Sequence, residues 1–172
     1  ENRTVSEEEA LKTSKIVGMA ALKYGDLSNQ ASKDYIFDMD RFVSFEGNTG
    51  PYILYTIVRI KSILAKASDL EVQGVCTGDI LPAVSGAEKD LMLQLSKYNE
   101  VIETSFMELA PHKICQYVYE LANAFNRFYH DTKIIAEENE KQRASWLSLI
   151  SLAKDVLTAC IDLLGIEAPE RM

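Results

Sequence analysis

The sequence has few of the residues from which metal centres and disulfide frameworks are built. Its three cysteines stand far apart with no CxxC pair, and it has only two histidines, His112 and His130. Neither histidine has a carboxylate or a cysteine at the spacing of a metal ligand, so we predict no metal site. We interpret Cys76, Cys115 and Cys160 as small core residues of a protein in a reducing compartment.

Segments that would mark a membrane protein or a self-contained enzyme are also lacking. No apolar run reaches the roughly 18 residues that a spanning helix needs, and no signal peptide opens the chain, which predicts a cytoplasmic protein without a membrane partner. The motifs GxGxxG, GxxxxGKS/T and GxSxG do not occur. Asp38 and Asp40 are more typical of a helix start than of an acid–base pair. We therefore predict no catalytic residues in this chain.

Positive charge is in short supply too. The 172 residues include 18 lysines and arginines against 26 aspartates and glutamates, a net charge of −8. This balance argues against binding of nucleic acid through bulk charge. It leaves room for a local basic surface, because exposed charges are screened beyond about 8 Å in physiological salt.

Helix signals dominate what the sequence does contain. Ser6 with Glu9 matches a capping box, in which a serine at the helix start is followed three residues later by a glutamate. Ser85 with Glu88 repeats this pattern and predicts one helix that continues to about Thr104. Each pair stands directly before an apolar-periodic segment, so we expect a helix to begin at both places.

Prolines and glycines mark the other boundaries. Pro51 and Pro111 suit the first positions of two further helices, and Gly165 ends a last, strongly apolar one. Residues 73–86 predict a loose connector, and residues 38–44 a short helix. No convincing alternating strand appears. The fold class that we predict is all-α, a helical bundle of about five or six helices.

The helix that begins at Pro51 has two distinct faces on a helical wheel. The predicted buried stripe consists of Ile53, Ile57, Ile60 and Leu64. The second group lies well away from that stripe and consists of Tyr52, Tyr55, Arg59 and Lys66. In one interpretation these side chains cover a neighbouring element and Arg59 pairs with a carboxylate. In the other they form a platform for unpaired bases, where stacking is worth roughly 1–3 kcal/mol per base. Spacing leaves both open.

The residues around this helix resemble a known family. The run "KYGDLSNQASKDYIFDMDRFVSFEGNTGPYILYTIVRI" is similar to the junction between the catalytic and anticodon-binding domains of arginyl-tRNA synthetases. Two later segments, "VYELANAFNRFYHD" and the final "LLGIEAPERM", are similar to the end of the same family. The resemblance covers nearly the whole chain. It implies an anticodon-binding domain of the DALR type.

The resemblance also implies an activity for the longer protein. Members are class I ligases that join arginine to its tRNA using ATP, with Mg²⁺, and are generally monomeric. Their HIGH-like and KMSK-like motifs are absent and would precede Glu1, so we expect the chain to be a C-terminal piece with no cofactor of its own. Residues 1–45 would trail from the catalytic module, and residues 46–172 would form the anticodon-binding domain. The alternative is an all-α protein–protein interaction module with no catalytic role.

Matched position by position, the resemblance implies a set of site residues. The expected anticodon contacts are Tyr52, Tyr55, Arg59, Phe125, Tyr129 and Met172. A loop expected to shift when tRNA binds consists of Ser44, Phe45, Glu46, Gly47, Asn48 and Thr49. Phe125 also belongs to an apolar stripe of the helix from Pro111, with Ile114, Val118, Leu121 and Phe128, so a core role is equally open. Tyr129 lies at the rim of that stripe.

Overall fold

A computed structural model describes residues 6–70 and 79–172. Its helices in chain order are α1 Glu7–Leu27, α2 Met39–Phe42, α3 Gly50–Asp69, α4 Gly86–Ser96, α5 Tyr98–Met107, α6 Pro111–Asp131 and α7 Glu140–Leu163. The described residues contain no strand, and six of these seven helices have ten residues or more. The predicted all-α bundle is therefore confirmed.

Side-chain caps begin the helices where the sequence indicated. Ser6 and Ser85 each accept a hydrogen bond from the backbone N–H three residues on, at 3.2 and 3.1 Å. Such caps satisfy an amide that the helix itself leaves unpaired. The hydroxyl of Thr49 caps α3 in the same way, so this helix begins at Gly50 and Pro51 takes its second position.

The single helix predicted from Ser85 to Thr104 is wrong, because it is broken at Lys97 into α4 and α5. The Lys97 N–H donates to the carbonyl of Gln94, three residues back, at 3.2 Å. The Ser96 hydroxyl donates to the carbonyl of Leu93 at 2.8 Å. Bonds of this kind compete with the regular four-residue pattern and change the helix direction. As a result, α4 and α5 both pack against α6.

The core lies where α3, α6 and α7 meet. Its largest fully buried side chains on these helices are Ile53, Leu54, Ile57, Ile60, Leu121, Phe125, Leu147, Leu149, Ile150 and Phe128. The stripe predicted on α6 is buried throughout, and the stripe on α3 is buried except for Leu64, which is half-buried. Helix α7 is long and apolar enough to cross a membrane, but 61% of that stretch is buried inside the bundle.

The two cysteines in the described ranges are core residues, as predicted. Cys115 and Cys160 are fully buried and free. Burial raises the pKa of both thiols to about 12, which keeps them protonated and unreactive at neutral pH. Cys76 lies outside the described residues, as do residues 73–78 of the predicted connector.

Helix α1 belongs to the same packed core as α3 and α6. A Cβ atom at Gly50 would lie 2.4 Å from the Ala20 carbonyl oxygen, so only glycine allows these backbones to approach so closely. The hydroxyl of Tyr24, a fully buried residue, lies 2.7 Å from the carbonyl oxygen of Cys115 and 2.6 Å from the side-chain oxygen of Asn48. A domain boundary near residue 45 stays a prediction.

Candidate nucleic-acid interface

Five side chains from three parts of the chain meet on one side of the bundle, and we call them the aromatic–cation cluster: Phe45, Tyr55, Arg59, Phe125 and Tyr129. The guanidinium carbon of Arg59 lies 4.7 Å from the ring centre of Tyr55 and 5.7 Å from that of Tyr129. The rings of Phe125 and Tyr129 stack at 6.0 Å, and Phe45 meets Tyr55 edge-on at 6.4 Å. The cation therefore lies between two aromatic rings.

Helix periodicity explains how the cluster is assembled. Tyr55 and Arg59 are four residues apart on α3, and Phe125 and Tyr129 are four residues apart on α6, so each pair shares a helix face. Because α3 packs directly on α6, the two faces meet. Phe45 comes from the loop that precedes α3 and closes the cluster from the side.

Exposure differs sharply among the members. Tyr55 and Tyr129 are 41% and 40% exposed, and Arg59 is half-buried. The prediction that Tyr55 faces solvent is confirmed. Phe125 is 0% exposed, so in this conformation its ring supports Tyr129 from below and has no surface of its own. The predicted anticodon contacts at Tyr55, Arg59 and Tyr129 keep access to a ligand, and their roles stay predictions.

Tyr52 is held by α6, so the prediction that it stays open to solvent is correct only in part. Its hydroxyl donates to the side-chain oxygen of Asn123 at 2.7 Å. Its ring is half-buried and packs edge-on against Tyr119 at 5.8 Å. Truncation of Tyr52 would therefore remove both packing and a hydrogen bond.

Two asparagines of α6 that sequence reasoning missed complete the site. Arg59 donates from Nη1 to the side-chain oxygen of Asn126 at 2.6 Å, and Asn123 holds Tyr52. In the described ranges no carboxylate oxygen lies within 4.0 Å of Arg59, so the expected ion pair is replaced by a neutral partner. Asn126 stands one turn before Tyr129, a spacing that could have linked it to the cluster.

The loop of residues 44–49 is anchored near its ends. The Thr49 hydroxyl donates to the carbonyl of Ser44 at 2.6 Å, and the side-chain oxygen of Asn48 lies 2.6 Å from the Tyr24 hydroxyl. Gly47 has a φ of 78°, in the left-handed region that favours glycine. The exposed residues of this loop are Phe45, Glu46 and Gly47. A shift of this loop when tRNA binds stays a prediction. Such a shift is easier for the exposed tip of the loop than for its hydrogen-bonded ends.

The C-terminal tail is tied to α3 by Lys61, a residue that the sequence patterns did not single out. Lys61 contacts the Glu170 carboxylate at 2.6 Å and the carbonyl of Pro169 at 3.2 Å. This places Met172, which is 41% exposed, on the rim of a groove that Phe45 also lines. The groove, about 1210 Å³, is lined by Glu9, Ala10, Thr13, Ser14, Val17, Phe45, Lys61, Ser62, Ala65, Lys66, Asp69, Glu170, Arg171 and Met172.

Docking of this tail should depend on pH. The hydrogen bond and the positive charge from Lys61 lower the pKa of the Glu170 carboxyl below its usual value of 4.5. A carboxyl whose pKa is lowered in the folded state stabilises that state while it is ionised, and the effect is lost as the pH falls through the lowered pKa. We expect the tail to leave α3 as the pH falls below about 4.5, observed as a titration of the Met172 methyl signal by NMR.

Matched variants separate this effect from general acid unfolding. Glu170→Gln should weaken docking at neutral pH and abolish the titration of the Met172 signal. Glu167→Gln, at an exposed position of the same tail, should leave both unchanged. A Met172 titration that persists in Glu170→Gln, with helical content intact by circular dichroism, would contradict the role assigned to this ion pair.

No three His, Cys, Asp or Glu side chains in the described part of the chain are placed to share a metal ion. The site instead offers stacking rings, a cation without a carboxylate partner and a wide groove. The DALR anticodon binding domain matches residues 53–172. The chain belongs to this DALR family. The match includes α3 almost entirely and every predicted contact from Tyr55 to Met172.

Relatives of this DALR domain are similar over its whole length. The arginine–tRNA ligase of Agathobacter rectalis is 62% identical across 100% of this chain, and that of Alkaliphilus oremlandii is 55% identical across 100%. Among solved structures, the arginyl-tRNA synthetase of Thermus thermophilus matches 99% of the chain with a TM-score of 0.86 and 29% identity. That of Plasmodium falciparum matches 94% with a TM-score of 0.82 and 32% identity.

The DALR domain accounts for only part of these relatives. The chain spans 29% of the length of the two ligases and 28% of each of the two solved chains. It matches the C-terminal region of the ligases, as the resemblance implied.

Proposed function

We propose that this chain is the anticodon-binding part of an arginine–tRNA ligase and that the aromatic–cation cluster, with the groove beside it, holds the anticodon loop of arginine tRNA. The observation that carries this proposal is the placement of Arg59 between Tyr55 and Tyr129 with a neutral partner. Arginine and ATP, with Mg²⁺, would bind in a part of the protein outside this chain. The protein would be cytoplasmic and monomeric, without a membrane partner.

The cluster suits unpaired bases for two physical reasons. Exposed tyrosine rings offer flat apolar surfaces, and stacking of a base on such a ring is worth roughly 1–3 kcal/mol. A guanidinium can stack on a base or donate to its edge, and it also attracts phosphate oxygens. Tyr55, Arg59 and Tyr129 combine both properties within one patch, because Arg59 lies within 6 Å of both ring centres.

Local charge is more favourable than the net charge of −8 suggests. The groove is lined by three cations, Lys61, Lys66 and Arg171. It is also lined by three carboxylates, Glu9, Asp69 and Glu170, so the charges of the groove balance, and the Lys61–Glu170 pair leaves two cations and two carboxylates. A polynucleotide backbone that followed the groove would meet Lys66 and Arg171, and acids more than about 8 Å away from it are screened in physiological salt.

Binding of arginine tRNA by the intact protein tests this proposal. With about three phosphate contacts, and a slope of about −0.7 per contact, affinity should fall about 20-fold between 50 and 200 mM salt. An arginine tRNA with a substituted anticodon should bind more weakly than the native one at both concentrations. Failure to discriminate between these two tRNAs would contradict the proposal.

The salt series also distinguishes the interaction-module alternative. A groove that docks an apolar protein helix should respond little to salt, because burial of apolar surface does not depend on counterion release. The absence of tRNA binding at 50 mM salt, with the protein folded by circular dichroism, would favour that alternative.

A further inference from the structure

We propose that Asn126 is a positioning residue that holds the Arg59 guanidinium in place without neutralising it. The inference rests on the proposed function and adds a residue and a mechanism to it. An aspartate at this position would have nearly the same shape and could accept the same hydrogen bond. It would also cancel the positive charge that a polynucleotide needs.

The donors and acceptors around Asn126 determine which way its amide points. Arg59 can only donate, so the oxygen of Asn126 must face it, at 2.6 Å. The Tyr52 hydroxyl donates to Asn123 at 2.7 Å and the Thr56 hydroxyl donates to the Tyr52 carbonyl at 3.0 Å. Both hydroxyl hydrogens are thus used, and both oxygens are free to accept.

The amide nitrogen of Asn126 supplies the two hydrogens that these oxygens accept. It lies 3.0 Å from the Tyr52 hydroxyl and 3.2 Å from that of Thr56. Both polar atoms of the Asn126 side chain therefore form hydrogen bonds, and all of these bonds require the amide oxygen to point at Arg59. A fully satisfied polar network of this kind has one orientation, because the reverse orientation would set donors against donors.

The consequence for Arg59 is that, among the residues that the structure describes, most of its N–H donors have no hydrogen-bond partner. A guanidinium has five N–H donors, and a neutral amide engages one of them while leaving the charge intact. Tyr55 and Tyr129 confine the group on two sides without supplying a hydrogen-bond acceptor to its plane. A pre-placed cation loses little side-chain freedom when a phosphate oxygen or a base edge arrives.

Substitution of Asn126 by aspartate in the intact protein tests the inference. Asn126→Asp should weaken arginine-tRNA binding by about 10-fold or more, and the log–log salt slope should become shallower by about 0.7, the contribution of one phosphate contact. The KM for tRNA should rise while kcat at saturating tRNA stays within about twofold. The matched control is Asn99→Asp, which adds the same charge at an exposed position on α5 and should leave affinity and slope unchanged.

Two further variants separate positioning from general structure. Asn126→Ala should weaken binding less than Asn126→Asp and keep the full salt slope, because Arg59 loses its anchor but keeps its charge. In an Arg59→Ala background, Asn126→Asp should change affinity by less than about twofold, since its effect acts through the missing cation. If Asn126→Asp costs the same factor in both backgrounds, the inference is wrong.

The outcomes distinguish this inference from the proposed function. If the native protein discriminates the anticodon and Asn126→Asp binds as tightly with an unchanged salt slope, only the role of Asn126 is overturned. If the native protein does not bind arginine tRNA at all, the proposed function itself fails. Thermal melting of each variant checks that the folded protein is compared throughout.

Discussion

Replacing Tyr55 or Arg59 by alanine should lower the affinity for arginine tRNA by about 5- to 150-fold, because each loses a contact worth roughly 1–3 kcal/mol. The kcat/KM of the intact ligase for tRNA should fall by a similar factor. Tyr55 is 41% exposed, so Tyr55→Ala should leave the melting temperature nearly unchanged. Arg59→Ala also leaves the oxygen of Asn126 without its donor, which costs about 1 kcal/mol, or about 2–4 °C.

Controls for this result come from exposed residues away from the cluster. Phe106→Ala removes an aromatic ring that is 75% exposed on α5, and Arg127→Ala removes an exposed cation on α6 that pairs with Asp90. Neither should change tRNA affinity by more than about twofold. Severe unfolding of both Tyr55→Ala and Arg59→Ala, with normal tRNA affinity of the folded fraction, would show that these side chains serve packing instead.

Truncation of Phe125 should have the largest effect on stability. The side chain is 0% exposed, and Phe→Ala substitutions in cores cost about 3–5 kcal/mol because they leave a cavity as well as losing apolar burial. At about 2–4 °C per kcal/mol, we expect the melting temperature to fall by roughly 6–20 °C. Because Tyr129 also loses the ring on which it stacks, tRNA binding by the folded protein should weaken several-fold.

Phe128→Ala is the matched control for this prediction. Phe128 is equally buried on the same helix, but its ring meets Trp146 edge-on at 6.0 Å, whereas Tyr129 stacks on Phe125. It should destabilise the fold by a similar amount and leave tRNA affinity unchanged well below the melting transition. A Phe125→Ala protein with normal stability and much weaker tRNA binding would instead support the direct base contact that the resemblance implied.

Local sequence signals predicted the helices well where a few neighbouring residues decide the outcome. The serine caps at Ser6 and Ser85 involve partners three residues away, and the apolar stripe of α6 is a property of one helix. The break at Lys97 was missed because the same residues can continue a helix or bend it. Packing of both α4 and α5 on α6 favours the bent form, and that contact spans distant parts of the chain.

In the candidate site, too, patterns among neighbouring residues predicted one part of the outcome and contacts between distant residues decided the rest. Tyr52 and Tyr55 fall on one side of a helical wheel, yet α6 covers Tyr52 and leaves Tyr55 exposed. A wheel describes directions around one helix axis and contains nothing about where the neighbouring helix lies. Asn123 and Asn126 were missed for this reason, because they matter only through the partners that they meet on α3.

The order of residues alone was therefore enough for the all-helical class, for most helix starts and for the grouping of Tyr52, Tyr55, Arg59 and Lys66 on one unusual helix face. Those features depend on periodicity and capping, which act over a few residues. Which aromatic ring reaches solvent, and whether Arg59 meets a carboxylate or an amide, was decided by the packing of α3 against α6. Such contacts join residues about 70 positions apart, and their free energy depends on distances that only the folded chain sets.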